Sequence, residues 1–219
     1  MMLRRMSPRG EFFLVIAICF GYLIATSLSV LLSGQRRFEM TSGRAIVGIA
    51  FELLALGLTF FILRARGWRA EDLGLQFSWK AAAAGIPLFI FYLLIYLITA
   101  TMLLQVWPGA RNALTFHYAN SAPAAVVLLF IVVNSFFEET IVTAYVITAL
   151  SKDGAALAIT ASTLLRFAYH LYQGPLASIS IIPLGLLFAT MFWRRRNVWP
   201  LIVAHTIANV VSFATMPQR

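Results

Sequence analysis

Two adjacent carboxylic acids, Glu138 and Glu139, lie inside the apolar run from Pro123 to Leu150. A charged side chain near the centre of a bilayer costs about 2.5 kcal/mol or more, so such a pair needs polar partners at a similar depth. The chain offers Arg166, His170, His205 and Asn209, each also set in an apolar segment. A carboxylate beside an imidazole can hold and deprotonate a water, and a second imidazole with an amide can donate to the oxyanion that develops on an attacked carbonyl. The chemistry these types suit is hydrolysis. One or two histidines with carboxylate oxygens also resemble a catalytic zinc shell with an open position, so zinc-dependent and metal-independent routes both stay open at this point. Neither a His-Glu-x-x-His helix nor a Gly-x-Ser-x-Gly elbow occurs.

The elements that must position these groups are membrane spans. Of 219 residues 61% are hydrophobic and 11% charged, and the mean hydropathy is +0.85; this composition defines an integral membrane protein. The expected fold is all-α, a polytopic transmembrane helical bundle of about seven helices forming a single domain over 1–219, with the catalytic core at about 120–213. Apolar runs place the helices at 12–32, 45–63, 81–106, 123–150, 154–172, 176–193 and 198–213. The first run is too long for a signal-peptide core and is read as a retained span. Pro183 and Gly185 are expected to loosen the sixth helix, and the polar 64–80 connection to lie at the interface and cover the site region. Cys19, the single cysteine, excludes an intramolecular disulfide.

The net charge of +9 reflects lipid headgroups and topology rather than nucleic acid. With the N-terminus in the cytoplasm, Arg4, Arg5, Arg9, Arg64, Arg66, Arg69, Lys80, Lys152 and Arg194 to Arg196 lie inside. Arg36, Arg37, Arg44, Arg111 and Arg219 lie outside. The protein is therefore expected to be a multi-pass cell-membrane protein with a cytoplasmic N-terminus. At 1.5 Å per residue from the cytoplasmic end, Glu138 and Arg166 come out at ~18 Å, Asn209 at ~16 Å, His205 at ~10 Å and His170 at ~24 Å. His205 and Asn209 are i and i+4, as are Arg166 and His170, so each pair shares a helix face. The two glutamates diverge by about 100° and should divide their labour, one addressing the chemistry and the other bracing the helix, with Arg166 as its partner. Glu52, alone in the second helix, could pair with Arg166 or with a histidine. His117 is read as interfacial.

The runs Phe136-Phe137-Glu138-Glu139, Arg166-Phe167-Ala168-Tyr169-His170-Leu171-Tyr172-Gln173-Gly174-Pro175 and His205-Thr206-Ile207-Ala208-Asn209 resemble the CPBP intramembrane proteases, also called Abi, which include the CAAX prenyl endopeptidases. Trp68-Arg69-Ala70-Glu71-Asp72-Leu73-Gly74-Leu75 looks like that family's region before the core. The resemblance implies that Glu138 and His170 activate water, that His205 and Asn209 stabilise the oxyanion, and that Glu139 supports them. The substrate would be a peptide or membrane protein cut within or beside the bilayer. One departure stands out: the family's first motif usually reads Glu-Glu-x-x-x-Arg, and Thr143 occupies the arginine position here, so Arg166 is expected to supply the cation beside Glu139. A catalytically silent immunity or partner-binding protein of the same fold, and a proton-coupled transporter, are the alternative readings; no repeated halves of the kind transporters show are visible.

Overall fold

The computed structural model of the chain describes residues 6–34, 37–109 and 117–215. Seven helices run through them: α1 (Pro8–Ser33), α2 (Ser42–Ala65), α3 (Trp79–Val106), α4 (Ala124–Ala149), α5 (Ala155–His170), α6 (Pro175–Arg195) and α7 (Trp199–Thr215). The expected bundle is therefore present, with element bounds close to the apolar runs. Local chemistry sets several ends. Ser7 caps α1 by accepting from the Gly10 amide at 3.1 Å with Pro8 following it, and Thr41 caps α2 by accepting from the Arg44 amide at 3.2 Å. Gly34 closes α1 in the left-handed region, φ 66°.

Among the described residues, five helices are long and apolar enough to cross a membrane: α1, α2, α3, α4 and, from Ala177, α6. Large apolar side chains such as Ile46, Leu54, Phe61, Ile98 and Leu129 stand exposed on their outer faces, as lipid contact requires and water would penalise. Helix α5 is shorter, 16 residues, and carries the polar groups Ser162, Thr163, Arg166 and His170 on its buried side. The protein is a multi-pass helical membrane protein.

The two ends of the bundle differ. At one end the α2–α3, α4–α5 and α6–α7 connections meet: Thr148 donates to the Asp72 carbonyl at 3.0 Å, Arg196 to Thr148 Oγ1 at 3.3 Å and the Val198 amide to the Gly74 carbonyl at 3.1 Å. Gly74, φ 62°, is required there, because a Cβ would lie 2.6 Å from the Arg196 carbonyl oxygen. At the other end, β1 (Arg37–Met40) and β2 (His117–Asn120) pair in parallel, Arg37 opposite His117 and Met40 opposite Asn120. These strands were not legible as such in the sequence. Of the basic residues used to orient the chain, Arg4, Arg5, Arg36, Arg111 and Arg219 lie outside the described residues.

Two readings need correction. The 64–80 connection packs on the basic end, with Trp68 against Tyr145 and the Trp199 indole donating to the Leu75 carbonyl at 3.1 Å; none of its residues lines the cavity described below, so it does not cover the site. Pro183 leaves α6 a single continuous helix. Gly185 serves close packing there, since a Cβ would come within 3.1 Å of the Thr163 side chain on α5.

Candidate active site

The polar centre is built on a widened stretch of α4. Residues Glu139–Tyr145 adopt π-helical geometry, and every residue of that stretch is buried. A π segment displaces backbone carbonyls from the α register; Ser162 of α5 donates to the Val142 carbonyl at 2.7 Å. Thr143 Oγ1 reaches back to Glu139 Oε2 at 2.7 Å.

Arg166, 1% exposed, joins the two glutamates. Its Nη1 donates to Glu138 Oε2 at 3.3 Å and its Nη2 to Glu139 Oε1 at 2.8 Å, with a further bond from Nη2 to Thr143 Oγ1 at 3.2 Å. The carboxylates diverge as the helix requires, and the forked guanidinium spans the divergence. Arg166 therefore sits beside Glu139 where the threonine stands in the arginine position of the motif. Its ring-facing contact is Phe188, 5.9 Å from the guanidinium carbon to the ring centroid.

The environments of the two acids are distinct. Glu139 has no exposed surface and takes a third partner, His205, whose Nδ1 donates to Oε1 at 2.7 Å. Glu138 lines a cavity; the Tyr169 hydroxyl donates to its Oε2 and Asn134 Nδ2 to its Oε1 at 3.2 Å. Tyr169 is held by ring packing, with the Phe20 ring centred 4.8 Å from it and 5.2 Å from Phe137.

His170 donates from Nδ1 to the Arg166 carbonyl at 2.8 Å, and Ser178 donates to the His170 carbonyl at 2.9 Å. With Nδ1 committed in each ring, Nε2 is the nitrogen of His170 and of His205 left for chemistry. Both rings, Glu138 and Asn209 line the same cavity of about 610 Å³. It extends past Phe51, Phe130 and Phe213 to β1 and the first turn of α2, where Arg37 and Arg44 stand exposed. Gly48 permits this wall, because a Cβ there would lie 2.9 Å from the Phe130 ring.

Every sequence-selected site residue is accounted for. Glu138, Glu139, Arg166 and His205 form one bonded network, and His170 and Asn209 share the cavity with Glu138. Asn134 and Tyr169 escaped selection, although Asn134 stands at i−4 from Glu138 and Tyr169 beside His170, positions that their polar types in apolar helices could have flagged. Glu52 pairs with neither Arg166 nor a histidine; its Oε1 accepts from Asn134 Nδ2 at 2.8 Å. A catalytic zinc shell uses three protein ligands. Among the described residues no three His, Cys, Asp or Glu side chains are grouped to hold a metal ion, and the oxygens of Glu138 and Glu139 already accept from other side chains, an arrangement that does not fit such a shell.

A helical membrane protein with a buried acid, guanidinium and imidazole network beside a cavity belongs to the class in which such groups mark a functional site. Residues 120–211 match the family model described as type II CAAX prenyl endopeptidase Rce1-like, in agreement with a CPBP/CAAX protease family. The matched segment takes in α4, α5, α6 and most of α7, and leaves α1 to α3 outside. No curated protein and no solved structure matches the chain.

Proposed function

We propose that the protein is an intramembrane endopeptidase that hydrolyses a peptide bond in the cavity by acid and imidazole chemistry. The observation that carries this reading is that Glu138, His170, His205 and Asn209, from three helices, line one cavity, while an arginine and a second glutamate tie the first glutamate and one imidazole together behind it. Glu138 and His170 Nε2 hold a water and take its proton as oxygen attacks the carbonyl carbon; the same proton passes to the leaving nitrogen as the C–N bond breaks. His205 and Asn209 donate to the oxyanion. Glu139, paired behind the His205 ring, balances the positive charge that ring carries when both its nitrogens hold hydrogen. The mainly apolar and aromatic wall suits a peptide or membrane-protein segment rich in apolar residues.

With the basic connections on the cytoplasmic side, the β1–β2 end faces outward and substrate enters from there. The test of the chemistry is a quenched-fluorescent peptide library presented to purified protein in detergent: cleavage lost in Glu138→Ala and His170→Ala supports it, and cleavage that survives both overturns it. Topology is tested separately in intact cells. Gly43→Cys is expected to react with a membrane-impermeant maleimide and Lys152→Cys only after lysis, with native Cys19 buried and silent; the reverse pattern overturns the orientation.

A further inference from the structure

Glu52 sits on α2, outside the segment that matches the endopeptidase family, and the hydrolytic steps above do not use it. It is only 4% exposed and lines the cavity. Its Oε1 accepts from Asn134 Nδ2 at 2.8 Å, and the same Nδ2 donates to Glu138 Oε1 at 3.2 Å. Its Oε2 has no hydrogen-bond partner among the described residues. Of the three carboxyl groups gathered here, Arg166 reaches those of Glu138 and Glu139 and not that of Glu52.

A bond between α2 and α4 could be made more cheaply by two neutral side chains, because a buried acid costs more than an amide or hydroxyl. The arrangement of donors gives a reason for an acceptor oxygen at this position. An asparagine side chain has one acceptor oxygen and one nitrogen with two hydrogens. With a carboxyl oxygen on each side of Nδ2, both hydrogens are directed, one to each acid, and the amide is locked in one of its two orientations. Glu138 is thereby held from both edges, Oε1 by Asn134 and Oε2 by Tyr169 and Arg166.

The geometry points to Glu52 as a positioning residue that, acting through Asn134, fixes the carboxylate of Glu138 toward the cavity. The inference rests on the hydrolytic reading for its rate consequence but not for its structural one. A carboxylate released at one edge turns away from its water-holding geometry; losing an outer support of this kind typically costs ~10–100-fold in activity.

Two measurements test it. The first is kcat and KM for the library peptide cleaved best by the wild type. Glu52→Ala and Asn134→Leu are each expected to lower kcat ~10–100-fold with little change in KM, and the double variant to be no worse than either single. Glu52→Gln, which keeps an acceptor oxygen for Asn134, is expected to recover most of the loss. The second needs no substrate. Wild type and variants in detergent are treated with a hydrophobic carbodiimide, and modification of Glu138 is read by peptide mass spectrometry. Glu52→Ala and Asn134→Leu are expected to raise it several-fold, and Glu52→Gln to leave it near wild type. Unchanged Glu138 modification in Glu52→Ala overturns the proposal, as does a melting-temperature loss with kcat per folded molecule intact. A Glu52→Gln variant as poor as Glu52→Ala overturns it too, since the acid rather than the acceptor would then be required. If the wild type cleaves no peptide, the hydrolytic reading fails, and the carbodiimide pattern still decides whether Glu52 holds Glu138.

Discussion

Glu138 and Glu139 are consecutive and share one arginine, yet they belong to two different regions. Around Glu139 lies a closed knot in which Arg166, Thr143 and His205 supply the donors, and the carboxylate has no exposed surface and does not line the cavity. Around Glu138 lies a wall, held by Tyr169, Asn134 and Arg166 but bordering a cavity with His170 and Asn209. The difference teaches how a membrane protein can keep two acids at one depth: one is enclosed by a full set of buried partners, and the other borders a cavity. A knot residue should then act on stability first, and a wall residue on rate first.

The sharpest way to break that contrast is Arg166→Ala. Removing one member of a buried ion pair costs about 3–5 kcal/mol, because it leaves the partner charge uncompensated; here two acids lose their cation. Thermal unfolding in detergent is expected to show little folded protein, and a variant with wild-type melting and cleavage would end the idea that this arginine ties the knot. Next come the wall substitutions Glu138→Ala and His170→Ala, each expected to lower kcat roughly 10²–10⁴-fold with the folded yield retained. Size-exclusion profiles measured beside the cleavage rate check this, and Glu138→Ala unfolding as readily as Glu139→Ala would erase the distinction between the regions. Asn209→Ala is expected to cost about 10²–10³-fold in kcat with melting unchanged, the signature of a lost oxyanion donor. The smallest effect should come from Thr143→Val, which removes a hydroxyl bonded to Glu139 and to Arg166. An expected loss of about 1–3 kcal/mol in stability, with kcat per folded molecule preserved, places it in the knot.

Much of this site was legible in the linear chain because polar types are so costly in hydrocarbon that each one stands out. Glu138, Glu139, Arg166, His170, His205 and Asn209 could all be picked from their apolar surroundings, and i to i+4 spacing put them on shared faces. The same logic exposed Glu52 but could not assign its partner, because an angle around α2 says nothing about which helix packs against it. Tyr169 and Asn134 stand out less, because in a membrane both types also serve ordinary anchoring and packing, and only the ring of Phe20 and the bonds to Glu138 show which way they point.

The sequence by itself determined the helical membrane class, the seven apolar elements and the set of groups able to do chemistry, since those follow from transfer free energies and from a period of 3.6. Tertiary structure alone decided which acid is sealed and which meets the cavity, that one guanidinium serves both, that α4 widens at Glu139, and that β1 and β2 pair at the cavity end. Those outcomes depend on how helices rotate and approach one another, and rotation is set by contacts between segments far apart in the chain.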